Sequence, residues 1–263
     1  MANRTALVTG ASSGIGEQFA RQLSERGHDV ILVARRGDRL ESIAAELPRA
    51  AHVIPHDLAA DAAGLRPRVD ELGLDVDLLV NNAGFGTYGR FTEIEAERDA
   101  DQIRLNCEAV VTLSHAFVPA MIERGSGGII TVASTAGLQP LPYEPVYSAS
   151  KAFALRFSEA LGEELRGTGV RTMAVNPGPV PTEWQQVAGH DSAGIVPGVI
   201  GPDQVASESL DAWDRGKRSI IPGRKMRWFI RATRPSTRGL QLRISERLYR
   251  PEDGGHTSDR KSR

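Results

Sequence analysis

The chain has 263 residues, of which 40% are hydrophobic and 25% are charged, a balance that is ordinary for a water-soluble globular protein. The single cysteine, Cys107, excludes an intramolecular disulfide and any metal site built from several cysteines, so we expect a reducing compartment and no bound metal. The residues before the first predicted strand do not show the basic segment and apolar stretch of a secretory signal. No uncharged apolar run approaches the roughly 20 residues that a membrane span needs. We therefore expect a cytoplasmic protein.

The formal net charge of −1 conceals an uneven distribution. Between Arg215 and Arg250 there are 12 basic residues and one acidic residue, Glu246, whereas residues 1–214 carry 17 basic and 29 acidic side chains. The sequence therefore predicts an acidic body, residues 1–222, and a basic C-terminal extension, residues 223–263, with different roles.

Apolar, β-branched runs alternate along the body with longer stretches of helical period. The predicted strands are Ala6–Val8, Val30–Val33, His52–Pro55, Leu78–Val80, Ile129–Ala133, Val170–Val175 and Ile220–Ile221. The predicted helices include Ile15–Arg26, Arg39–Leu47, Ile103–Arg124 and Val146–Arg166, and Gly27, Gly125 and Gly167 are the expected stops of three of them. Strands that are apolar throughout and separated by helices indicate a parallel sheet covered on both faces, that is, a single doubly wound α/β domain of Rossmann type.

The first strand runs into the glycine-rich turn Thr9–Gly16, which opens the first helix. Its backbone N–H groups, at Gly10, Ser12, Ser13, Gly14, Ile15 and Gly16, can approach a pyrophosphate at the positive end of that helix. The spacing G-x-x-x-G-x-G differs from the standard dinucleotide fingerprint G-x-G-x-x-G. Within the same turn, Gly10–Gly14 also matches the G-x-S-x-G elbow of hydrolases, but His190 is the only remotely plausible downstream partner. A dinucleotide loop is the favoured interpretation.

The residues that choose between dinucleotides follow the second strand as Ala34-Arg35-Arg36. An NAD(H) enzyme typically places an acid there to bind the ribose hydroxyls. Two guanidinium groups without that acid favour the 2′-phosphate of NADP(H). The alternative is that Arg35 and Arg36 are merely solvated surface residues.

Tyr147 and Lys151 are spaced four residues apart on a predicted helix, so they share one face. A nearby ammonium favours the phenolate and lowers the pKa of a tyrosine, which suits it to exchange protons with an alcohol or a carbonyl oxygen. Ser134 ends a predicted strand, where its hydroxyl can hold the same oxygen at the carboxyl edge of the sheet. A pair of this spacing occurs by chance in many helices, so the tyrosine and lysine mean little alone.

In combination these motifs resemble the classical short-chain dehydrogenases/reductases over roughly residues 4–222. Thr9–Gly16 is similar to the phosphate loop of that family, and Asp57, with Leu58 beside it, to the residues at the adenine. Asn81-Asn82-Ala83-Gly84 is similar to the strand-end motif beside the cofactor, although these asparagines could merely cap a strand. Pro177-Gly178 with Val180 and Thr182 resembles the segment against the nicotinamide. Asn106, Ser134, Tyr147 and Lys151 fall where the family keeps its catalytic tetrad.

The resemblance implies an NADP(H)-dependent oxidoreductase that interconverts a carbonyl and an alcohol. Tyr147 would be the acid or base, Ser134 would orient the carbonyl, and Lys151 would also hold the nicotinamide ribose. Asn106 would fix a helix kink and a water that relays protons. The resemblance further implies a homodimer or homotetramer joined through the helices near Ile103–Arg124 and Val146–Arg166.

Residues 179–201 lack a period and are rich in glycine and proline, which is typical of a substrate lid, or else of a disordered surface excursion. The lid has few charges and includes Val187, Ile195, Val196, Val199 and Ile200. These side chains indicate a lipophilic substrate such as a ketoacyl compound, a steroid, or another ketone or aldehyde.

Two rival functions are weighed against this interpretation. A dinucleotide-binding sensor or scaffold without turnover is disfavoured because Tyr147 and Lys151 are both present. Nucleic-acid binding through the basic extension is not expected, because no recognisable motif accompanies the charge. The extension interleaves arginines with Met226, Trp228 and Phe229, and Pro235 and Gly239 are expected to divide it into two short helices. It is equally compatible with contact with an anionic membrane and with packing on the acidic body or a sister subunit.

Overall fold

Seven parallel strands form one sheet in the computed structural model, which describes residues 4–183, 198–233 and 236–251. The strands are β1 (Arg4–Thr9), β2 (His28–Ala34), β3 (Ala51–Pro55), β4 (Leu78–Asn81), β5 (Gly127–Val132), β6 (Val170–Val175) and β7 (Ser219–Ile220). Their order across the sheet is β3-β2-β1-β4-β5-β6-β7. The chain thus builds outward from β1 in one direction and from β4 in the other, and open α/β sheets bind ligands at such a switch point. The predicted Rossmann-type sheet is confirmed.

Helices cover both faces of this sheet. They are α1 (Gly14–Glu25), α2 (Gly37–Glu46), α3 (Leu65–Asp70), α4 (Ala96–Ile103), α5 (Ala109–Glu123), α6 (Pro145–Glu164), α7 (Pro202–Asp214), α8 (Arg224–Thr233) and α9 (Arg238–Tyr249). One core cluster joins the sheet to α1, α2 and α7, with Phe19 and Leu23 fully buried. The other joins the opposite face to α3 and α5, with Phe117 and Met121 at its centre. Burial on both faces explains why the central strands are apolar throughout rather than alternating.

The predicted helix Ile103–Arg124 is wrong at its start and in its continuity. The helical stretch begins at Ala96, and a π turn over Arg104–Glu108 separates α4 from α5. Four of the eight residues of α4 are charged, so no apolar run reveals it in the sequence. The whole stretch, Ala96–Glu123, is long and apolar enough to cross a membrane by length and composition, but the buried side of α5 packs against the sheet as a core helix does.

The three glycines expected to stop helices do so. Gly27, Gly125 and Gly167 follow α1, α5 and α6 with φ of 90°, 64° and 87°, a left-handed conformation that side chains rarely adopt. Apolar side chains of this region are divided between core and surface: Leu165, just after α6, is buried, whereas Phe153 on α6 is 41% exposed and stacks on Phe157 with ring centroids 6.0 Å apart.

The basic extension forms two helices, α8 and α9, as predicted, but Gly239 lies inside the first turn of α9 rather than between the helices. Pro235 lies outside the described residues. The extension packs on the body: Arg227 of α8 pairs with Glu208 of α7 at 3.2 Å. The predicted lid lies largely outside the described residues, and so do its members Val187, Ile195 and Val196. Of its described part, Val199 is 38% exposed and Ile200 packs against the core.

Candidate active site

A cavity of about 1190 Å³ opens at the carboxyl edge of the sheet, around the switch point between β1 and β4. All of the site residues proposed from the sequence line it except Asn106, which lies behind its wall. They are Gly10, Ser12, Ser13, Gly14, Ile15, Gly16, Arg35, Arg36, Asp57, Leu58, Asn82, Ala83, Gly84, Ser134, Tyr147, Lys151, Pro177, Gly178, Val180 and Thr182. The structure therefore brings the candidate dinucleotide and proton-transfer residues to one space.

The glycine-rich turn is fixed to the neighbouring strand by a side chain that the sequence analysis did not single out. The buried hydroxyl of Thr9 donates to the carbonyl of Val80 at 3.1 Å and accepts from the amides of Asn82 and Ala83, both at 3.0 Å. The side-chain amide of Asn82 donates back to the carbonyl of Thr9 at 2.8 Å. Asn82 thus joins two strand ends, which is more than the capping of one strand.

Close packing at this junction explains the glycines. Gly10 has a φ of 66°, and a Cβ there would lie 2.9 Å from the Cα of Ala83. A Cβ on Gly16 would collide with the carbonyl oxygen of Gly10. Backbone lies where side chains would otherwise stand, so the turn can present its N–H groups to the cavity at the start of α1.

Arg36 extends across the glycine-rich turn, whereas Arg35 lines the cavity as an exposed cation. One Nη of Arg36 donates to the Ser12 hydroxyl at 3.1 Å and also to the Glu183 carboxylate at 2.8 Å. The hydrogen bond from Arg36 is the main reason that the pKa of Glu183 lies below its ordinary value. Glu183, which the sequence analysis did not single out, therefore connects the beginning of the predicted lid to the dinucleotide end of the cavity.

Asn106 lies at the centre of the π turn between α4 and α5 and is only 1% exposed. Its side-chain amide donates to the carbonyl of Phe85 at 2.9 Å and to the hydroxyl of Ser150 at 3.0 Å, and its oxygen accepts from the amide of Phe85. The widened turn aims this side chain between the segment after β4 and helix α6. Asn106 thus fixes the spacing of the two segments that carry Gly84 and Lys151.

Ser134, just after β5, and Tyr147 on α6 lie close together in the cavity wall. The Ser134 hydroxyl accepts from the amide of Ala136 at 3.0 Å, which fixes its position. Burial raises the pKa of Tyr147 above its ordinary value, and the interaction with Ser134 acts in the opposite direction. The expectation of a lowered tyrosine pKa is therefore not met in this structure, because the loss of hydration outweighs the neighbouring groups.

Lys151 is one turn further along α6, with its Nζ 6.0 Å from the centre of the Tyr147 ring. Its ammonium donates to the carbonyl of Val132 at 2.9 Å. Burial lowers its pKa to about 8. A Cβ on Gly84 would lie 3.2 Å from this Nζ, so the glycine leaves the ammonium the room it occupies. Lys151 can therefore exchange a proton near neutral pH beside the tyrosine.

The far end of the cavity is lined by residues that the sequence analysis did not assign to a site. Met226, Phe229 and Ile230 of α8 and Tyr249 of α9 lie there, so the basic extension forms part of the wall. The extension is held in place by hydrogen bonds from the Tyr88 hydroxyl to the carbonyl of Tyr249 and from the Tyr143 hydroxyl to Glu246, at 2.9 and 3.0 Å. No local pattern reveals this wall, because it depends on contacts between residues more than 100 positions apart.

Glu144 lies beside Tyr147 in this wall and is only 3% exposed. Burial raises its pKa from an ordinary 4.5 to about 7. It precedes Pro145, the first residue of α6, and is three residues before Tyr147. Both side chains line the cavity, although Glu144 itself is not helical, and the sequence analysis did not single it out.

We predict that Glu144→Gln makes the protein more stable relative to the parent as the pH rises. Between about pH 4.5 and 7 the parent carboxyl keeps its proton when folded but loses it when unfolded, so the free energy of unfolding falls through this window. The glutamine does not titrate, so its advantage over the parent should grow by about 2–3 kcal/mol between pH 5 and 8. Urea denaturation at both pH values measures it. Glu164→Gln, at the exposed end of the same helix, should show no such change, and equal pH dependence of Glu144→Gln and the parent would contradict the assigned burial.

Comparison with known proteins gives one consistent assignment. Residues 4–193 match the family model described as short chain dehydrogenase. Sulfoacetaldehyde reductase 2 of Chromohalobacter salexigens is 36% identical over 210 residues, which cover 78% of this chain and 79% of the reductase. Ketoacyl reductase HetN of Nostoc sp. is 32% identical over 226 residues, which cover 84% of this chain and 79% of that protein.

A solved structure supports the same assignment. The short-chain dehydrogenase of Sphingobium yanoikuyae in complex with NADPH superposes with a TM-score of 0.79 at 34% identity, over 90% of this chain and 95% of that one. The match with the family model extends over the sheet from β1 to β6 and over every strand end that lines the cavity. The chain therefore belongs to the short-chain dehydrogenase family of oxidoreductases.

Proposed function

We propose that the protein transfers hydride between NADP(H) and a carbonyl or alcohol carbon of a lipophilic substrate, with Tyr147 as the proton donor or acceptor. The observation that carries the proposal is the convergence of three buried groups on one cavity. Ser134 lies close to Tyr147, and Lys151 lies one helical turn away. The glycine-rich turn opens onto the same space.

The residues present fit a nicotinamide dinucleotide. The turn around Gly10 and Gly16 leaves no space for side chains and places backbone N–H groups at the start of α1, where a pyrophosphate is stabilised. Arg35 and Arg36 line the same end of the cavity, offer guanidinium donors, and have no acidic neighbour in the sequence Ala34-Arg35-Arg36. This supports NADP(H) over NAD(H), as does the likeness to a relative in complex with NADPH. The dinucleotide, when bound, supplies or accepts the hydride.

The chain's own residues handle the proton. In the direction of reduction, the Tyr147 hydroxyl donates its proton to the carbonyl oxygen as that oxygen gains negative charge, and the Ser134 hydroxyl orients the oxygen. Lys151, with a pKa of about 8, is largely protonated at pH 7 and stabilises the phenolate that forms. The reverse sequence removes the proton from an alcohol. Asn106 positions α6 through Ser150 and does not line the cavity.

The apolar wall supports a lipophilic substrate. Leu141, Met226, Phe229 and Ile230 surround the cavity on the side of Tyr147, and Tyr249 closes it. The relatives' names include a ketoacyl reductase and an aldehyde reductase, so the same class of carbonyl chemistry is proposed here. A ketoacyl compound, a steroid, or another ketone or aldehyde fits this description.

A hydrolase based on the letters of the G-x-S-x-G elbow is not supported. The Ser12 hydroxyl accepts hydrogen bonds from Arg36, a guanidinium that cannot act as a general base. His190, the partner that such a mechanism requires, lies outside the described residues. A sensor that binds the dinucleotide without turnover is the remaining alternative, and turnover itself distinguishes it.

We also propose a homodimer or homotetramer, because α6 presents the stacked Phe153 and Phe157 on its outer side, with Phe153 41% exposed. Trp228, Ile244 and Leu248 are also exposed, on the two helices of the basic extension. Contact of these helices with an anionic membrane stays a prediction from the sequence. The other alternative, packing on the body or a sister subunit, is supported for the body by the contacts of Arg227 with Glu208 and of Tyr88 with Tyr249.

We predict that Tyr147→Phe lowers kcat by about 10²–10⁴-fold, because the ring is kept and only the proton donor is removed. The affinity for NADPH, measured by fluorescence titration, should stay within a few-fold of the parent. Lys151→Ala should damage both turnover and NADPH affinity, because one ammonium serves both. A kcat of Tyr147→Phe within tenfold of that of the parent would contradict the assigned role of Tyr147.

Cofactor choice gives a second prediction. Replacing Ala34 by Asp and Arg35 by Gln should weaken NADPH binding by roughly one to two decades and improve relative use of NADH, because a charge-assisted contact with phosphate is exchanged for repulsion. The ratio of kcat/KM values for the two cofactors measures the change. Arg39 lies in the same region but does not line the cavity, so Arg39→Gln serves as the control. A parent that already prefers NADH would overturn the role given to Arg35.

A further inference from the structure

Glu144 is a buried acidic side chain in the cavity wall that the proposed chemistry does not use. It is the residue immediately before α6, and the cavity lining includes Leu141, Glu144 and Tyr147 in succession. Burial raises the pKa of two nearby phenols, those of Tyr147 and Tyr249, and the charge of this carboxylate raises each further. The carboxylate therefore lies near both the catalytic candidate and the wall contributed by the basic extension.

Within residues 4–183, 198–233 and 236–251, the carboxylate of Glu144 has neither a hydrogen bond nor an ion pair with the protein. Two of the cations that line the cavity are committed elsewhere. Lys151 donates to the carbonyl of Val132, and Arg104 pairs with Glu97 and Asp101 at 2.7 and 2.6 Å. Burial alone accounts for the raised pKa of Glu144.

A carboxyl group in such surroundings carries a cost that few proteins keep without a use. Its neighbours Leu141, Tyr147 and Tyr249 belong to one apolar cluster, together with Ala136. An ionised carboxylate can only accept hydrogen bonds, so the group that would stabilise it is a donor. A donor brought by a substrate would be held strongly, because charge-assisted hydrogen bonds in an apolar site are stronger than neutral ones.

We propose that Glu144 is a specificity-determining residue that accepts a hydrogen bond from a hydroxyl or ammonium group on the substrate, within a few bonds of the reacting carbon. Glu144 lies three residues before Tyr147 and lines the same cavity, so both side chains can contact one substrate at a short separation. The preferred substrate is then a hydroxy- or amino-carbonyl compound, or the corresponding alcohol, with an otherwise apolar body. This inference rests on the proposed function, because it names the substrate class of the same site.

Four ketones test the proposed role of Glu144: acetophenone and its α-methoxy, α-hydroxy and α-amino derivatives. The last three carry the substituent on the methyl carbon next to the carbonyl. NADPH oxidation gives kcat/KM for each with the parent protein. The hydroxyl or ammonium compound should exceed the methoxy compound by about tenfold or more, because the methoxy group fills the same space without a donor. The two donor compounds show which donor is preferred.

Variants locate the effect. Glu144→Leu should lower the ratio of kcat/KM for the donor compounds to kcat/KM for the methoxy compound by about tenfold, mainly through KM. Glu144→Gln keeps an acceptor oxygen, so it should preserve part of the preference for hydroxyl and lose the preference for ammonium. Glu164→Gln, on the exposed end of the same helix, should change none of these values.

Each outcome decides between the proposals. A parent without preference for a donor compound, or one that prefers the methoxy compound, overturns the role of Glu144 and leaves the proposed function standing. Equal losses for all four ketones in Glu144→Leu, in a variant that still binds NADPH, would show a merely structural role. Turnover of none of the four ketones, although NADPH is bound, would count against the proposed function itself.

Discussion

The site depends on the parallel pairing of β1 with both β2 and β4, which ends three strands at one edge and leaves a gap between the segments that follow them. The register is held at the strand end by Thr9, whose hydroxyl bonds to the backbone of Val80, Asn82 and Ala83. The glycine-rich turn leaves β1 on one side of the gap, and the segment leading to Gly84 leaves β4 on the other. Because backbone meets backbone here, any side chain at Gly10 or Gly16 would separate the two strand ends.

From that junction the arrangement extends to the proton-transfer residues. Asn106, in the π turn, links the segment after β4 to α6 through Phe85 and Ser150. Helix α6 in turn carries Tyr147 and Lys151, and β5, which pairs with β4, ends just before Ser134. The tyrosine and serine come from different elements, and they lie close together only because the sheet brings those elements together. Burial of the tyrosine, serine and lysine strengthens the polar contacts that they make.

Much of the fold follows from local sequence pattern, and the parts that do not have identifiable physical reasons. The seven strands are recognisable because burial on both faces demands continuous apolar runs, and the glycines after helices because their φ is positive. The start of the helical stretch at Ala96 could not be predicted, because half of the residues of α4 are charged. This segment is helical as the continuation of the more apolar helix α5. Gly239 was misplaced because a helix tolerates one glycine in its first turn.

The candidate site divides in the same way. The glycine-rich turn, the strand-end asparagine and the Tyr147–Lys151 pair can be recognised from spacing. The wall made by Met226 and Tyr249, and the burial of Glu144, depend on where the extension packs, which no local pattern contains. The direction in which the pKa of Tyr147 shifts also depends on burial and not on sequence neighbours. The acidic body and basic extension do meet, as in the pair of Arg227 with Glu208, and residues of the extension line the cavity.

The proposed reaction requires that hydride pass directly between the nicotinamide and a substrate carbon in this cavity. The most direct test supplies NADPH that carries deuterium at one of the two C4 positions, in each configuration separately, with a panel of apolar ketones and hydroxyketones. Mass spectrometry then locates deuterium in the product alcohol. Direct transfer should place one deuterium on the carbinol carbon of the product, and only one of the two labelled cofactors should supply it. Tight binding of NADPH with no alcohol formed, or an alcohol without label from either cofactor, would contradict it.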